Sequence, residues 1–406
     1  MEINQATKAY VEAHKTENVQ ELALRGAKDP DIDLPTALRQ IEGWQKAKAK
    51  LPSWATTEDI IYPPRLSMEQ CSSEITAAYK QKIVEGYAGN LGTLVDLTGG
   101  FGVDCMMLGQ LFEHVTYVEH SPILCDIARH NFTAIGMPQA EVVEADAVEY
   151  LRQMPHCDWI FIDPARRNEN GQKVVSLADC EPNIHDILYP LLDKCDRMLI
   201  KLSPMHDIRK VVEDLSHHAI EVHVVSVDNE CKELLVLADL RPHDEEVIVV
   251  TVNLSSNGAK PQQVTGLLQF AGHSPEHSAS SIGKYLYEPN ASLMKARIFK
   301  PMLNQWPAEK LHPATHLFTS DRLFRDFPGR SFEVEKAVPF SKEGIRQAVE
   351  GLKQANVKAR NFGHMTTEAL CKRIGLADGG NTYIFGVTVA GGQRMLIRCH
   401  KIGSKE

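Results

Sequence analysis

No run in the sequence approaches the ~18 uninterrupted apolar residues that a bilayer-crossing helix needs, so no membrane span and no membrane partner is expected. The N-terminus, MEINQATKAYVEAHKTENVQ, has no apolar core behind a basic start, and a secretory signal is not expected either. Nine cysteines include no CxxC and no Cys/His ligand spacing. That argues against a disulfide framework and a zinc site, and for a cytoplasmic protein whose reduced thiols are mostly small core residues. No fixed-period repeat is visible. A composition of 43% hydrophobic and 24% charged residues excludes wholesale disorder, collagen and a coiled-coil rod.

What is present is a chain of 406 residues, long enough for about two to four domains. Its net charge of −9 is unevenly spread: residues 281–406 hold 20 Lys+Arg against 11 Asp+Glu, or +9, leaving −18 on residues 1–280. A basic C-terminal third on an acidic body is the pattern of one module that meets polyanions and another that does something else. The basic residues cluster as Lys295, Arg297 and Lys300, as Arg322, Arg325 and Arg330, and as Lys353, Lys358 and Arg360.

Residues 1–58 are rich in helix formers, with Leu38, Ile41 and Trp44 at helical spacing, and predict a small helical domain. Within residues 59–245, short apolar runs alternate with amphipathic stretches: LVDL, HVTYVE, EVVEA, DWIFID, RMLIKL, EVHVVSV and LLVLADL. This is how an α/β fold with a doubly wound parallel sheet reads. The last two runs are close enough for a hairpin across Asp228–Glu233, which would end the sheet on an antiparallel strand. VIVVTVNL reads as a further strand, Ser255–Gly283 as a loop-rich connector, and residues 246–330 and 331–406 as two small α+β modules. In the second module, SKEGIRQAVEGLKQAN predicts a capped helix starting near Ser341 and NTYIFGVTVAGGQRMLIRC a hairpin.

The strongest motif is LVDLTGGFGVD, Leu94–Asp104. A strand ends at Asp96 and Leu97, the chain turns through Thr98, Gly99, Gly100, Phe101 and Gly102, and a helix begins near Val103. Glycines at such a turn permit positive φ and bring backbone amides close to a ligand, here a nucleotide-like one. Counted from Gly100, the third position of GxGxxG is Cys105, which weakens a nicotinamide-cofactor reading. The next run ends in Glu119, 23 residues beyond Asp96, where an acid can accept from both ribose hydroxyls. Asp146 follows the third run, placed to accept from an adenine amino group, and Asp163-Pro164-Ala165-Arg166 follows the fourth. Proline holds the adjoining carbonyl and carboxylate in a fixed geometry to which a substrate amino group could donate.

In this order, DLTGGFGVD, VEHSP, EAD and IDPARR resemble the class I S-adenosylmethionine-dependent methyltransferases over residues 60–241. DLTGGFG is similar to the glycine motif of ribosomal-RNA guanine-N2 methyltransferases, and the whole layout resembles a bacterial methyltransferase family with a C-terminal THUMP-like domain. The resemblance implies a Rossmann-like sheet, ferredoxin-like and THUMP-like modules over 246–330 and 331–406, S-adenosylmethionine as cofactor, and structured RNA (tRNA or rRNA) as partner. It gives Asp96, Thr98, Gly100 and Gly102 to the methionine and turn region, Glu119 to the ribose, Asp146 to adenine, and Asp163, Pro164 and Arg166 to the acceptor.

Where the family carries a second proline and an aromatic, this chain has Ala165 and Arg166, so the ring that stacks on a flipped base is missing. Tyr62 and Phe101 are candidate substitutes, Arg166 and Arg167 candidate phosphate or base-edge contacts, and Arg65, Gln70 and Ser72 candidate contacts near the methionine end. IKLSPMHD after the fifth run lacks cysteine, which disfavours a covalent pyrimidine-C5 route. The expected activity is methylation of a base amino group, guanine N2 favoured. The alternatives are a protein or small-molecule acceptor, or a non-catalytic RNA-binding protein that retains the cofactor pocket.

Overall fold

The computed structural model describes residues 3–87, 91–137, 139–166, 177–241, 245–272 and 278–403. Two units emerge, Met1–Ile220 with Leu235–Asp244, and Glu221–Leu234 with Glu245–Glu406.

The first unit is built on strands whose apolar runs are mostly buried, the edge strand Ala140–Glu144 excepted, as a helix-covered parallel sheet requires. They are β1 (Thr93–Asp96), β2 (His114–Glu119), β3 (Ala140–Glu144), β4 (Cys157–Ile162), β7 (Cys195–Leu202) and the end of β9 (Glu230–Asp239), in the order β9-β7-β4-β1-β2-β3. Register pairs β1 in parallel with both β2 and β4, and β4 in parallel with β7, so Asp96, Glu119 and Asp163 emerge at one end of the sheet. A two-residue ladder, β5 (Ala165–Arg166) with β6 (Cys180–Glu181), holds the chain just after Asp163-Pro164.

Helices Gln5–His14, Val19–Arg25 and Leu34–Lys50 start on the side-chain caps Asn4, Asn18 and Asp33. Ile41 is buried, and Gln40 exchanges two hydrogen bonds with the Tyr62 backbone at 2.8 and 3.0 Å. Trp54 packs on Phe101 of the glycine turn with ring centroids 4.7 Å apart.

In the second unit, β8 (Ala219–Val227) turns into β9 through Asp228 and Asn229, whose φ values of 49° and 67° make the tight turn of a two-residue hairpin. The expected reversal is there, with β9 starting at Glu230, but β9 does not end the sheet, which continues through β8 to two further strands. β10 (Ile248–Leu254) runs parallel to β8, and β11 (Gln262–Leu267) pairs antiparallel with β10. The connector expectation therefore fails over Gln262–Leu267: only Val264 of that strand is buried, too little periodicity to read as a strand.

Whereas β10 and β11, also within 246–330, belong with β8, from Tyr285 onward the two expected α+β modules share one seven-stranded sheet. Its strands are β12 (Tyr285–Pro289), β13 (Glu309–His312), β14 (Thr315–Ser320), β15 (Gly329–Pro339), β16 (Asn356–Arg360), β17 (Thr382–Thr388) and β18 (Arg394–Lys401), in the order β13-β14-β12-β15-β18-β17-β16. Ser341 caps helix Lys342–Val349 through the Gly344 amide at 3.0 Å, and β17 and β18 form the expected hairpin. All nine cysteines are unpaired thiols, six of them buried.

Glu288, 5% exposed on β12, accepts from Arg330 and, at 2.8 and 3.1 Å, from Arg360. A buried charge with two partners is costly to remove from one side, although both arginines keep some access to water. Glu288→Ala should cost about 2–3 kcal/mol, read from the urea midpoint of the second unit; an unchanged midpoint would contradict the structural role of this cluster.

Candidate active site

The site is assembled at the carboxyl ends of β1, β2 and β4. Gly100 and Gly102 have φ of +55° and +84°, which residues with a Cβ adopt only under strain. Gly99 is needed for a different reason: a Cβ there would lie 2.1 Å from the Tyr117 ring. Tyr117 in turn donates its hydroxyl to the Gly100 carbonyl at 2.5 Å and packs edge-on against Phe132, bracing the turn from below.

Glu119, 8% exposed, accepts from the Gly100 amide at 2.9 Å and from the Ser121 amide at 2.9 Å, one on each oxygen. Thr98 ties two strand tips together: its amide donates to Asp96 Oδ1 at 3.0 Å, and its hydroxyl accepts from the Asp163 amide at 2.6 Å. A glycine in its place would lose that second link.

Asp96 is 1% exposed, and the Thr98 amide is its one hydrogen bond among the described residues. Burial, reinforced by the nearby carboxylates of Asp104, Asp163 and Glu119, pushes its pKa well up. Asp104 is buried too. Burial works to raise its pKa, but the Lys80 and Lys201 ammoniums and the hydrogen bonds from Ser72 and Lys80 outweigh that and leave it lowered. Lys80 Nζ lies 3.1 Å from Asp104 Oδ1, and Ser72 donates to Oδ2 at 2.6 Å. Lys201 lies 3.8 Å from Asp104 Oδ2 and donates to Asp163 Oδ2.

Asp96, Thr98, Gly100, Gly102, Glu119 and Asp163 thus converge, with buried Pro164 adjoining. Asp146 is exposed and spends Oδ1 on the cap of helix Ala147–Gln153, accepting from the Val148 and Glu149 amides at 2.9 and 3.0 Å. The Arg166 backbone pairs with Cys180, while its side chain and the whole of Arg167 lie outside the described residues. Tyr62 and Phe101, 4% and 3% exposed, are core residues with no open face for stacking. Arg65 and Gln70 are exposed, and Arg65 pairs with Glu69 at 2.8 Å, whereas Ser72 belongs to the buried charge network.

Sequence reasoning missed Lys80, Asp104 and Lys201. A signal existed for Lys80, which falls on the buried face of helix Glu74–Glu85 with Thr76, Ala77, Ile83 and Val84.

The parallel sheet, the glycine turn and the acidic strand tips define a Rossmann-like class I methyltransferase fold. Family models match residues 285–328 as a ferredoxin-like domain and 329–401 as THUMP domain-like. The crystal structure of an assigned methyltransferase from Porphyromonas gingivalis W83 superposes with a TM-score of 0.85, at 32% identity, over 99% of this chain and 100% of that one. The chain belongs to the family of S-adenosylmethionine-dependent methyltransferases with a THUMP-like C-terminal domain.

An uncharacterized S-adenosylmethionine-dependent methyltransferase of Mycobacterium tuberculosis (strain H37Rv) is 25% identical over 63% of this chain and 66% of its own length. Ribosomal RNA small subunit methyltransferase J of Acinetobacter baumannii (strain AYE) is 26% identical over 38% of this chain and 63% of its own. The chain thus spans somewhat under two thirds of the length of these curated relatives. Among the described residues, no helix is long and apolar enough to cross a membrane.

Because the folded-state pKa of Asp96 lies above its ordinary 3.8, the stability this group contributes is complete below that pH and is lost as pH rises through the folded-state value. Asn at this position keeps an acceptor for the Thr98 amide without the charge. Asp96→Asn should therefore melt higher than wild type at pH 7–8 in the absence of ligand, the gap closing toward pH 4. A lower melting temperature at neutral pH would contradict the burial argument.

Proposed function

We propose that the chain transfers a methyl group from S-adenosylmethionine to a base amino group, guanine N2 favoured, in structured cytoplasmic RNA. The observation that carries this reading is the state of Asp96: a buried acid, surrounded by other acids, at the mouth of a positive-φ glycine turn. A ligand bearing both an ammonium and a sulfonium would bring positive charge to Asp96, which, unlike Asp104 and Asp163, pairs with no cation among the described residues.

The residues fit that ligand. Gly100 and Gly102 leave the turn without a Cβ where the methionine end would approach, and Asp96 would take its ammonium. Glu119 Oε2 accepts only the Gly100 amide, while Oε1 accepts the Ser121 amide and lies 3.1 Å from His120 Nδ1, so Oε2 can accept a second hydrogen bond from a ribose hydroxyl. Asp146, with Oδ1 committed to its helix cap, would meet the adenine amino group through Oδ2. The bound cofactor supplies an activated methyl on a good leaving group. The protein's task is then to align an amino lone pair and exclude water. Asp163 and the adjoining carbonyl at Pro164 would accept from the acceptor amino group, and Arg166 would meet phosphate or a base edge. Transfer would form the N–C bond as the C–S bond breaks, its electron pair returning to sulfur, and the nitrogen would release its proton to solvent on the open side of Asp163, whose side chain is 36% exposed.

For RNA binding, the expected basic clusters contribute unequally. Arg330 and Arg360 share the single carboxylate of Glu288, whereas Arg373 and Arg394, outside those clusters, are exposed and flank the Phe340 ring at 5.1 and 5.5 Å with no ion pair among the described residues. The burial of Tyr62 and Phe101, which removes two candidate stacking rings, favours a protein or small-molecule acceptor as the second reading.

Nucleoside analysis of RNA from cells with and without the gene tests the proposal: one methylated base should vanish, and an unchanged nucleoside profile would contradict it. Glu119→Ala should weaken S-adenosylmethionine binding by ~10–150-fold in calorimetry; equal affinity in a folded variant would remove Glu119 from the ribose. Arg373→Glu with Arg394→Glu should weaken RNA binding and lower the log–log salt slope by ~0.7 per lost phosphate contact. An unaltered slope would place the RNA elsewhere.

A further inference from the structure

Lys80, fully buried, and Lys201, mostly buried, both lie among these carboxylates, but they do different things. Lys80, 0% exposed, stays within its own corner, donating to Ser72 Oγ at 3.0 Å and lying 3.1 Å from Asp104 Oδ1. Asp104 therefore has a counter-charge and a hydroxyl without help from β7. Lys201, next to last on β7, stands farther from Asp104, at 3.8 Å, and gives its hydrogen bond to Asp163 instead. Its side chain is 12% exposed, and an ammonium so buried is costly unless carboxylates hold it.

Asp163 is held from two directions. Its amide is fixed on Thr98, its Oδ2 is taken by Lys201, and among the described residues Oδ1 has no hydrogen bond. The side chain is 36% exposed, so this remaining oxygen has access to a ligand.

We infer that Lys201 is a positioning residue for methyl transfer: by holding Asp163 Oδ2 it fixes the rotamer of that carboxylate, so that Oδ1 faces the acceptor amino group. The inference rests on the methyltransferase reading of the site. As the N–C bond forms, positive charge grows on the acceptor nitrogen before its proton passes to water, and an anionic, immobile acceptor on its N–H stabilises that charge. Asp96 and Asp104 crowd the same end of the sheet with negative charge. Without Lys201, Asp163 would face them with no paired cation among the described residues.

The test is a double-mutant cycle on the full chain, with the RNA acceptor found by nucleoside analysis and S-adenosylhomocysteine affinity from calorimetry. Lys201→Met should lower kcat by roughly 30-fold or more while leaving KM and S-adenosylhomocysteine affinity within about threefold. Lys201→Arg should recover most of the rate. In an Asp163→Asn background, Lys201→Met should cost no more than about twofold further. Fully additive losses, or a loss of S-adenosylhomocysteine affinity that matches the loss of rate, would overturn the inference. Crystal structures of Lys201→Met and Lys201→Gln supply a readout that needs no activity: Asp163 should leave its wild-type rotamer, and an unmoved carboxylate would overturn the positioning role. Should Lys201→Met fail to fold, Lys201→Gln takes its place in the cycle. A wild-type chain that methylates neither RNA, protein nor metabolite would instead remove the methyltransferase reading, while the Asp163 rotamer still decides what Lys201 does.

Discussion

The Lys80–Asp104 ion pair lies beneath the glycine turn with almost no contact with water, and it sets how much negative charge the end of the first unit's sheet can carry. Each ionised carboxylate placed there costs several kcal/mol unless it is paired or hydrogen-bonded. Asp104 is met by Lys80 and Ser72, Asp163 by Lys201, and Glu119 by two backbone amides. Asp96 alone is left with a single amide, and burial among its neighbours disfavours its charged form. A cationic ligand relieves that imbalance, so electrostatics and the shape of the turn point to the same class of molecule.

The backbone geometry follows from the same arrangement. For the Gly100 amide to reach Glu119 on the neighbouring strand, the chain must reverse within a few residues, and positive φ at Gly100 and Gly102 achieves this. Gly99 lets the turn settle on the Tyr117 ring, Tyr117 returns a hydrogen bond to Gly100, and Phe101 reaches into the N-terminal helices through Trp54. Thr98 ties the tip of β1 to the residue that follows β4. The turn, the strand tips and the helical N-terminus are thus parts of one packed assembly in the first unit.

Much of this was legible in the sequence because each feature has a local signature. The apolar runs announce buried parallel strands, an acid closing such a run stands at its carboxyl end, and glycines between strand and helix announce the turn. The buried lysines were not legible in that way. Lys201 closes the apolar run RMLIKL and Lys80 sits in an ordinary amphipathic helix; only the fold brings both to Asp104, from segments more than 100 residues apart in sequence. For the same reason Tyr62 and Phe101 looked available for stacking, since sequence spacing carries no information about which aromatic faces the N-terminal helices cover. β11 was missed because a strand with a single buried residue has no alternation to read.

The central claim is that the acidic strand tips of β1, β2 and β4 hold S-adenosylmethionine, and a crystal structure of the full chain grown with saturating S-adenosylhomocysteine tests it most directly. The account predicts ribose hydroxyls within hydrogen-bonding distance of Glu119, the amino acid ammonium against Asp96 above the Gly100–Gly102 turn, and the sulfur facing Asp163. Ligand density at another place on the chain, or none at this end of the sheet under saturating conditions, would contradict it.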